Sequence, residues 1–197
     1  MASRLSRVCL PCSSNPPTLV VGESLLTAPD AKVRAFLVVR ALKLVAAHAS
    51  ALVRVPAQDL AVLVSGWLRV LNPSWVAPGV SANLLAEAGR RLAPGLPRTA
   101  DPNFGVLALE AATAIGSQAA QVGNAAVTWA NRAALLAVGD PAVALEGLAW
   151  SMGQDGVPED EEARAVWIAK TIDARDLLSF AASDAMFEAR KRVGIAS

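Results

Sequence analysis

The residues with the most chemical potential are Cys9 and Cys12, in the run Cys9-Leu10-Pro11-Cys12. A CxxC pair can supply half of a zinc site or a redox disulfide, and a proline inside it is a thioredoxin-like feature. Zinc needs further ligands, and the chain has no other cysteine and a single histidine. Two cysteines beside a turn therefore read as packing. His48, among alanines, has no acidic residue three or four positions away to orient it as a catalytic base. Asp155 and the acidic run Glu159 to Glu162 lack the alternation of oxygen ligands that a calcium loop requires, so they read as a solvated loop and a helix start. There is no Walker loop, no GxSxG and no HExxH, and the chain is poorly equipped as an enzyme.

The elements that position these residues follow from composition. Apolar residues make up 54% of the 197 residues while aromatics are only 5%, so the bulk is Ala, Leu and Val and favours closely packed helices. Eighteen basic against seventeen acidic side chains leave a net charge of +1, without the basic surplus on which nucleic-acid binding rests. The mean hydropathy of +0.41 raises the question of a membrane span. The uncharged run Ala111 to Asn131 reaches bilayer length, but its glutamines, threonines, glycines and alanines suit a buried helix better. The N-terminus lacks the apolar segment of a secretory signal, so a cytoplasmic location is expected.

Strand-forming sequence is confined to residues 5–26, with a turn from Pro11 to Pro17 and the run Thr18 to Gly22, as a hairpin or short sheet. A helical core is expected over 30–197. Its first helix runs from Ala31 to Val53, with Asp30 as N-cap, as a central core helix. Others follow over 57–71, from Ser81 to Leu92, from Asp101-Pro102 to Gly116, over 118–138, from Pro141 to Met152, over 161–171 and over 173–192. The fold class is mainly α (α+β), with about seven helices and a small N-terminal β element. One domain over 1–197 is expected, possible also as a piece of a larger multidomain protein.

Two stretches, in order, resemble gluzincin-type zinc metallopeptidases. In that family a strand ending in a short Gly/Thr turn leads into a helix carrying HExxH. A later helix carries a zinc-binding Glu in an ExxAD-type pattern, followed by Arg and often Gly-Asp-Pro. Pro17 to Leu26 and the helix after Lys32 resemble the first part. Val127-Thr128-Trp129-Ala130-Asn131-Arg132 with Gly139-Asp140-Pro141 resembles the second. The helix that would read HExxH has Val39, Arg40 and Lys43 at the ligand and base positions, or Arg40, Ala41 and Leu44 one residue on. Val127 stands for the zinc-binding Glu and Asn131 for the usual Asp. Zinc catalysis needs three deprotonatable ligands and a base. The resemblance thus implies a scaffold that has lost its metal, with no cofactor and no catalytic residue.

The second half is also similar to C-terminal domains of large tetratricopeptide-repeat proteins of myxobacteria and their relatives. Ala130-Asn131-Arg132-Ala133, Arg175 to Ala181 and Arg190 to Gly194 carry that similarity. It implies a bacterial cytoplasmic adaptor whose partner is a protein, such as a small Ras-like GTPase of cell polarity. Trp75, in a proline-bounded loop, is the expected interaction anchor, since tryptophan and arginine dominate interface energetics. Two other classes stay open: a metal-independent hydrolase or small-ligand-binding enzyme around Arg40, Lys43 and Asn131, and a helical effector or toxin-like protein.

Overall fold

Alanine-rich periodic segments closed by Gly and Pro give a chain that is helical over most of its length. The computed structural model describes residues 8–12, 14–27, 29–52, 55, 57–73, 76, 79–95, 103, 106, 107, 110 and 119–195. Among them a two-stranded antiparallel sheet pairs β1 (Cys9–Cys12) with β2 (Thr18–Val21), in the register Cys9 opposite Val21 and Cys12 opposite Thr18. Nine α-helices follow: α1 (Glu23–Thr27), α2 (Ala31–Ala46), α3 (Ala57–Leu71), α4 (Ala82–Leu92), α5 (Ala119–Val138), α6 (Pro141–Ser151), α7 (Glu161–Lys170), α8 (Ile172–Ala181) and α9 (Asp184–Arg192). The mainly helical class with a small N-terminal hairpin is therefore what the chain adopts. The helix expected from Asp101 to Gly116 and the loop holding Trp75 lie outside the described residues, apart from isolated positions of that helix.

Several boundaries follow the local chemistry that the sequence offers. Asp30, Ser81, Asp140 and Asp160 each accept a backbone N–H of the first turn of α2, α4, α6 and α7, which satisfies one of the donors a helix start leaves open. Asp140 is followed by a proline at the first helical position, where the missing N–H costs nothing.

Other boundaries differ from expectation. The strand region is shorter: β1 continues through Pro11 and Cys12, and residues 23–27 are helical. Helix α2 stops at Ala46, not Val53. His48 there takes a left-handed φ of 54°, its N–H donates to Val45 O at 3.0 Å, and the N–H of Ala49 donates to Leu44 O at 2.8 Å. Those two bonds form a Schellman closure, usually made by glycine. Gly153 and Gly194 close α6 and α9 in the same way. The single last helix is two, α8 and α9. At the break Ser183 adopts an extended backbone and donates its hydroxyl to Phe180 O at 2.7 Å, so the chain leaves one helix and starts another.

Two compact units divide the chain: Met1–Ala51 with Ala126–Ser197, and Leu52–Ala125. In the first, α2 packs on α6 and on β1, and α6 packs on α8. Phe36, Leu25, Leu135, Leu148 and Leu177 are fully buried at its centre. Helix α6 has no polar face, buries Ala144, Leu145, Gly147, Leu148 and Ala149, and shares with α2 the central place expected for α2 alone. Gly147 is required there, because a Cβ would lie 2.3 Å from a ring carbon of Phe36. In the second unit, α3 packs on α4 with Gly66 against Ala88, where a Cβ on Gly66 would meet that of Ala88 at 2.6 Å.

Candidate functional site

Strand geometry decides the CxxC. Side chains of a strand alternate between faces, so residues three apart point to opposite sides with Cα atoms about 10 Å apart. A disulfide needs less than about 7 Å. Neither cysteine is in a disulfide. Cys9 faces the helices, where its thiol donates to Leu37 O at 3.5 Å, and burial pushes its pKa up although the nearby Arg40 works against that. A raised thiol pKa leaves Cys9 a weaker nucleophile at neutral pH. His48 is the closing residue of α2, and its backbone conformation accounts for its place. Among the described residues, no three of His, Cys, Asp and Glu converge in a way that could hold a metal ion.

The residues flagged on α2 and α5 scatter by helical position. Ala41 and Leu44 are fully buried, Val39 packs against the core, and Val127 is partly buried. Arg40 and Asn131 meet: Arg40 Nε donates to Asn131 Oδ1 at 2.6 Å across 91 residues of sequence. One helical turn on, the Lys43 ammonium lies 3.7 Å from the ring centroid of Trp129, whose indole is 49% exposed. The pair of helices that the metallopeptidase resemblance singled out is thus joined by two long cationic side chains reaching from α2 to α5.

Sequence reading missed the third side of this cluster. Asp173, in the first turn of α8, faces Arg40 from a partly buried position. Burial raises its pKa above the ordinary carboxylate range; Arg40 opposes that rise and Asp176 adds to it. Burial likewise lowers the Arg40 pKa, with Asp173 and then Cys9 holding it up. The signal in the sequence was the spacing of Asp173 and Asp176, which puts both on one face of α8. Asp176 is taken by Arg132, which grips both carboxylate oxygens, one through Nε at 2.9 Å. The Arg132 guanidinium also lies 5.1 Å from the Phe180 ring centroid. That fork-to-fork pair raises the Arg132 pKa and ties α5 to α8.

A shallow cavity of about 490 Å³ lies along α3 and α4 in the second unit, lined by Val62, Leu63, Leu84, Asp59, Glu87 and Arg91 among others. Glu87 is bound to Arg91 at 2.9 Å and to Arg90 at 2.6 Å, which holds its pKa below the ordinary range. Asp59 is the other carboxylate of the cavity lining. No helix among the described residues is long and apolar enough to cross a membrane. No protein-family model matches the chain, nor does any curated protein or solved structure.

Proposed function

We propose that the chain is a non-catalytic protein–protein interaction domain of a bacterial cytoplasmic protein, a pseudo-metallopeptidase scaffold serving as an adaptor. The observation that carries this reading is Trp129. Its indole is half exposed on a helix rather than a loop, and Lys43 lies over its ring. A large aromatic held in place before binding loses little side-chain freedom when a partner covers it, which is how interface anchors act. Trp75, the anchor expected from the sequence, lies outside the described residues, and Trp129 is the anchor proposed among the described ones. The positions where a zinc site would need ligands support the reading from the other side. They hold Val39, Arg40, Lys43, Val127 and Asn131, and Arg40 is hydrogen-bonded to Asn131. A small Ras-like GTPase is the partner we propose, on the similarity to adaptor domains set out above.

The test is site-specific photocrosslinking in the native host. A photoreactive residue replaces Trp129 in one strain and the exposed Val166 of α7 in another. A discrete adduct from position 129 alone is the expected result, and its mass spectrum decides whether a small GTPase is in it. Identical adducts from both positions, or none from 129, overturn the adaptor reading.

A further inference from the structure

Arg40 is charged and partly buried, and among the described residues most of its donors are left without a protein acceptor. A guanidinium has five N–H donors and no acceptor. Among the described residues one of these meets an acceptor, the Nε on Asn131 Oδ1. Asp173 influences Arg40 through space but makes no direct ion pair with it among the described residues. Asp176, the other carboxylate nearby, is committed to Arg132. The amide of Asn131 adds a second open donor. Arg40 only donates, so the oxygen of the amide must face it, and Nδ2 is left over. Asn131 is 1% exposed, and its Nδ2 has no partner among the described residues. A buried donor without an acceptor is rare, and Asn131 Nδ2 calls for an explanation such as a bound ion.

We propose that Arg40 and Asn131, on α2 and α5, form a binding site for a small oxyanion, a carboxylate or a phosphate. The free N–H groups of Arg40 grip two of its oxygens, and Asn131 Nδ2 donates to one of them from the buried side. Directional donors of this kind select an oxygen acid over a halide. Access is from the side on which Arg40 and Asp173 remain partly exposed. Among the described residues Asp173 is the carboxylate facing the site whose charge no side chain pairs directly, so it weakens binding by like-charge repulsion. Lys43 adds positive charge one turn along α2, while the Cys9 thiol, held neutral, adds none. The donors of the site, on Arg40 and Asn131, are different atoms from the Trp129 anchor, with Lys43 alone near both.

The experiment titrates the full chain with sodium phosphate, with sodium acetate and with sodium chloride at constant ionic strength. Melting temperature and the Asn131 side-chain amide signal in nitrogen–proton NMR spectra are followed together. Phosphate or acetate, and not chloride, is expected to raise the melting temperature and move that signal. Asp173→Asn is expected to tighten binding roughly tenfold, as removal of one like charge at such range allows; Arg40→Gln is expected to abolish it. An amide signal that neither oxyanion moves, in wild type and in Asp173→Asn alike, overturns the proposal. So does an Arg40→Gln variant that still responds, or a chloride response equal to the others. Should Arg40→Gln fail to fold, the comparison of wild type with Asp173→Asn at the Asn131 signal decides the matter alone.

Discussion

The unit built on α2, α6 and α8 and the unit holding α3 and α4 solve the same packing problem with different side chains. In the first, a phenylalanine and several leucines fill the centre, and one glycine makes room for the phenylalanine ring. In the second, the two helices touch through Gly66 and Ala88, with Leu60, Leu68 and Leu85 buried beside them. A core of large side chains gains its stability from buried area. A contact between small residues gains it from close approach and tolerates no added atom. The first unit also places charge between its helices: Arg40 and Asp173 are partly buried and the partly exposed Arg132–Asp176 pair joins α5 to α8, while the charges of α4 lie on its surface.

The largest expected effect tests the first kind of core. Phe36→Ala should cost about 3–5 kcal/mol, the range for a buried aromatic replaced by a methyl, read as a fall in the denaturant midpoint. Gly147→Ala should cost about 1–3 kcal/mol by overpacking the ring. The double variant should be less destabilised than the two losses added together, because removing the ring removes the clash that the new methyl causes. Simple additivity would show that Gly147 acts through its helix and not through Phe36.

Next comes the helix pair. Gly66→Ala places a methyl 2.6 Å from Ala88 Cβ with backbone atoms close behind, so a loss of about 1–3 kcal/mol is expected. Hydrogen exchange checks where the loss falls. Amides of α3 and α4 should lose protection while those of α2 and α6 keep theirs. Equal loss in both would mean that the two units unfold as one, and the contrast between them would be one of packing style alone.

Much of this architecture was legible in the sequence, and the places where it was not have physical causes. The caps at Asp30, Ser81, Asp140 and Asp160 are side-chain-to-backbone bonds that depend only on neighbours, and the helices behind all four begin within a residue of the expected position. The end of α2 was misplaced because a left-handed residue usually announces itself as glycine, and here it is His48. The break between α8 and α9 was missed because Ala182-Ser183 carries no proline or glycine; one serine hydroxyl bonding backward marks it. Arg40 and Asn131 lie 91 residues apart, and no local pattern marks their meeting. Asp173 was not anticipated, because three-dimensional neighbours from α2 and α8 share no local pattern.

Asp173 offers a smaller effect whose sign separates the two units, since it tracks the charge placed between the helices of the first. Burial holds this carboxyl above its ordinary range, so the folded chain binds the proton more tightly than the unfolded chain does. The stability it contributes is complete below the ordinary value of about 3.9 and is lost as pH rises through the raised folded value. At neutral pH, Asp173→Asn should therefore melt higher than wild type. Below about pH 3.9 the two should melt alike. A variant that melts lower at neutral pH would show that attraction to Arg40 outweighs the cost of burial.

The smallest effect lies at the end of α2. His48 occupies a left-handed backbone at φ 54°, a conformation that costs a side-chain-bearing residue about 1–2 kcal/mol. Glycine adopts it without strain but loses more freedom on folding, which returns part of that gain. His48→Gly should consequently raise stability by about 1 kcal/mol or less, checked by the denaturant midpoint at unchanged slope. His48→Ala keeps the strain and removes the imidazole, so it should leave stability nearly unchanged. If instead both variants destabilise equally, the imidazole makes a contact that stabilises the fold. The histidine would then be there for its ring, and the closure of α2 would not account for it.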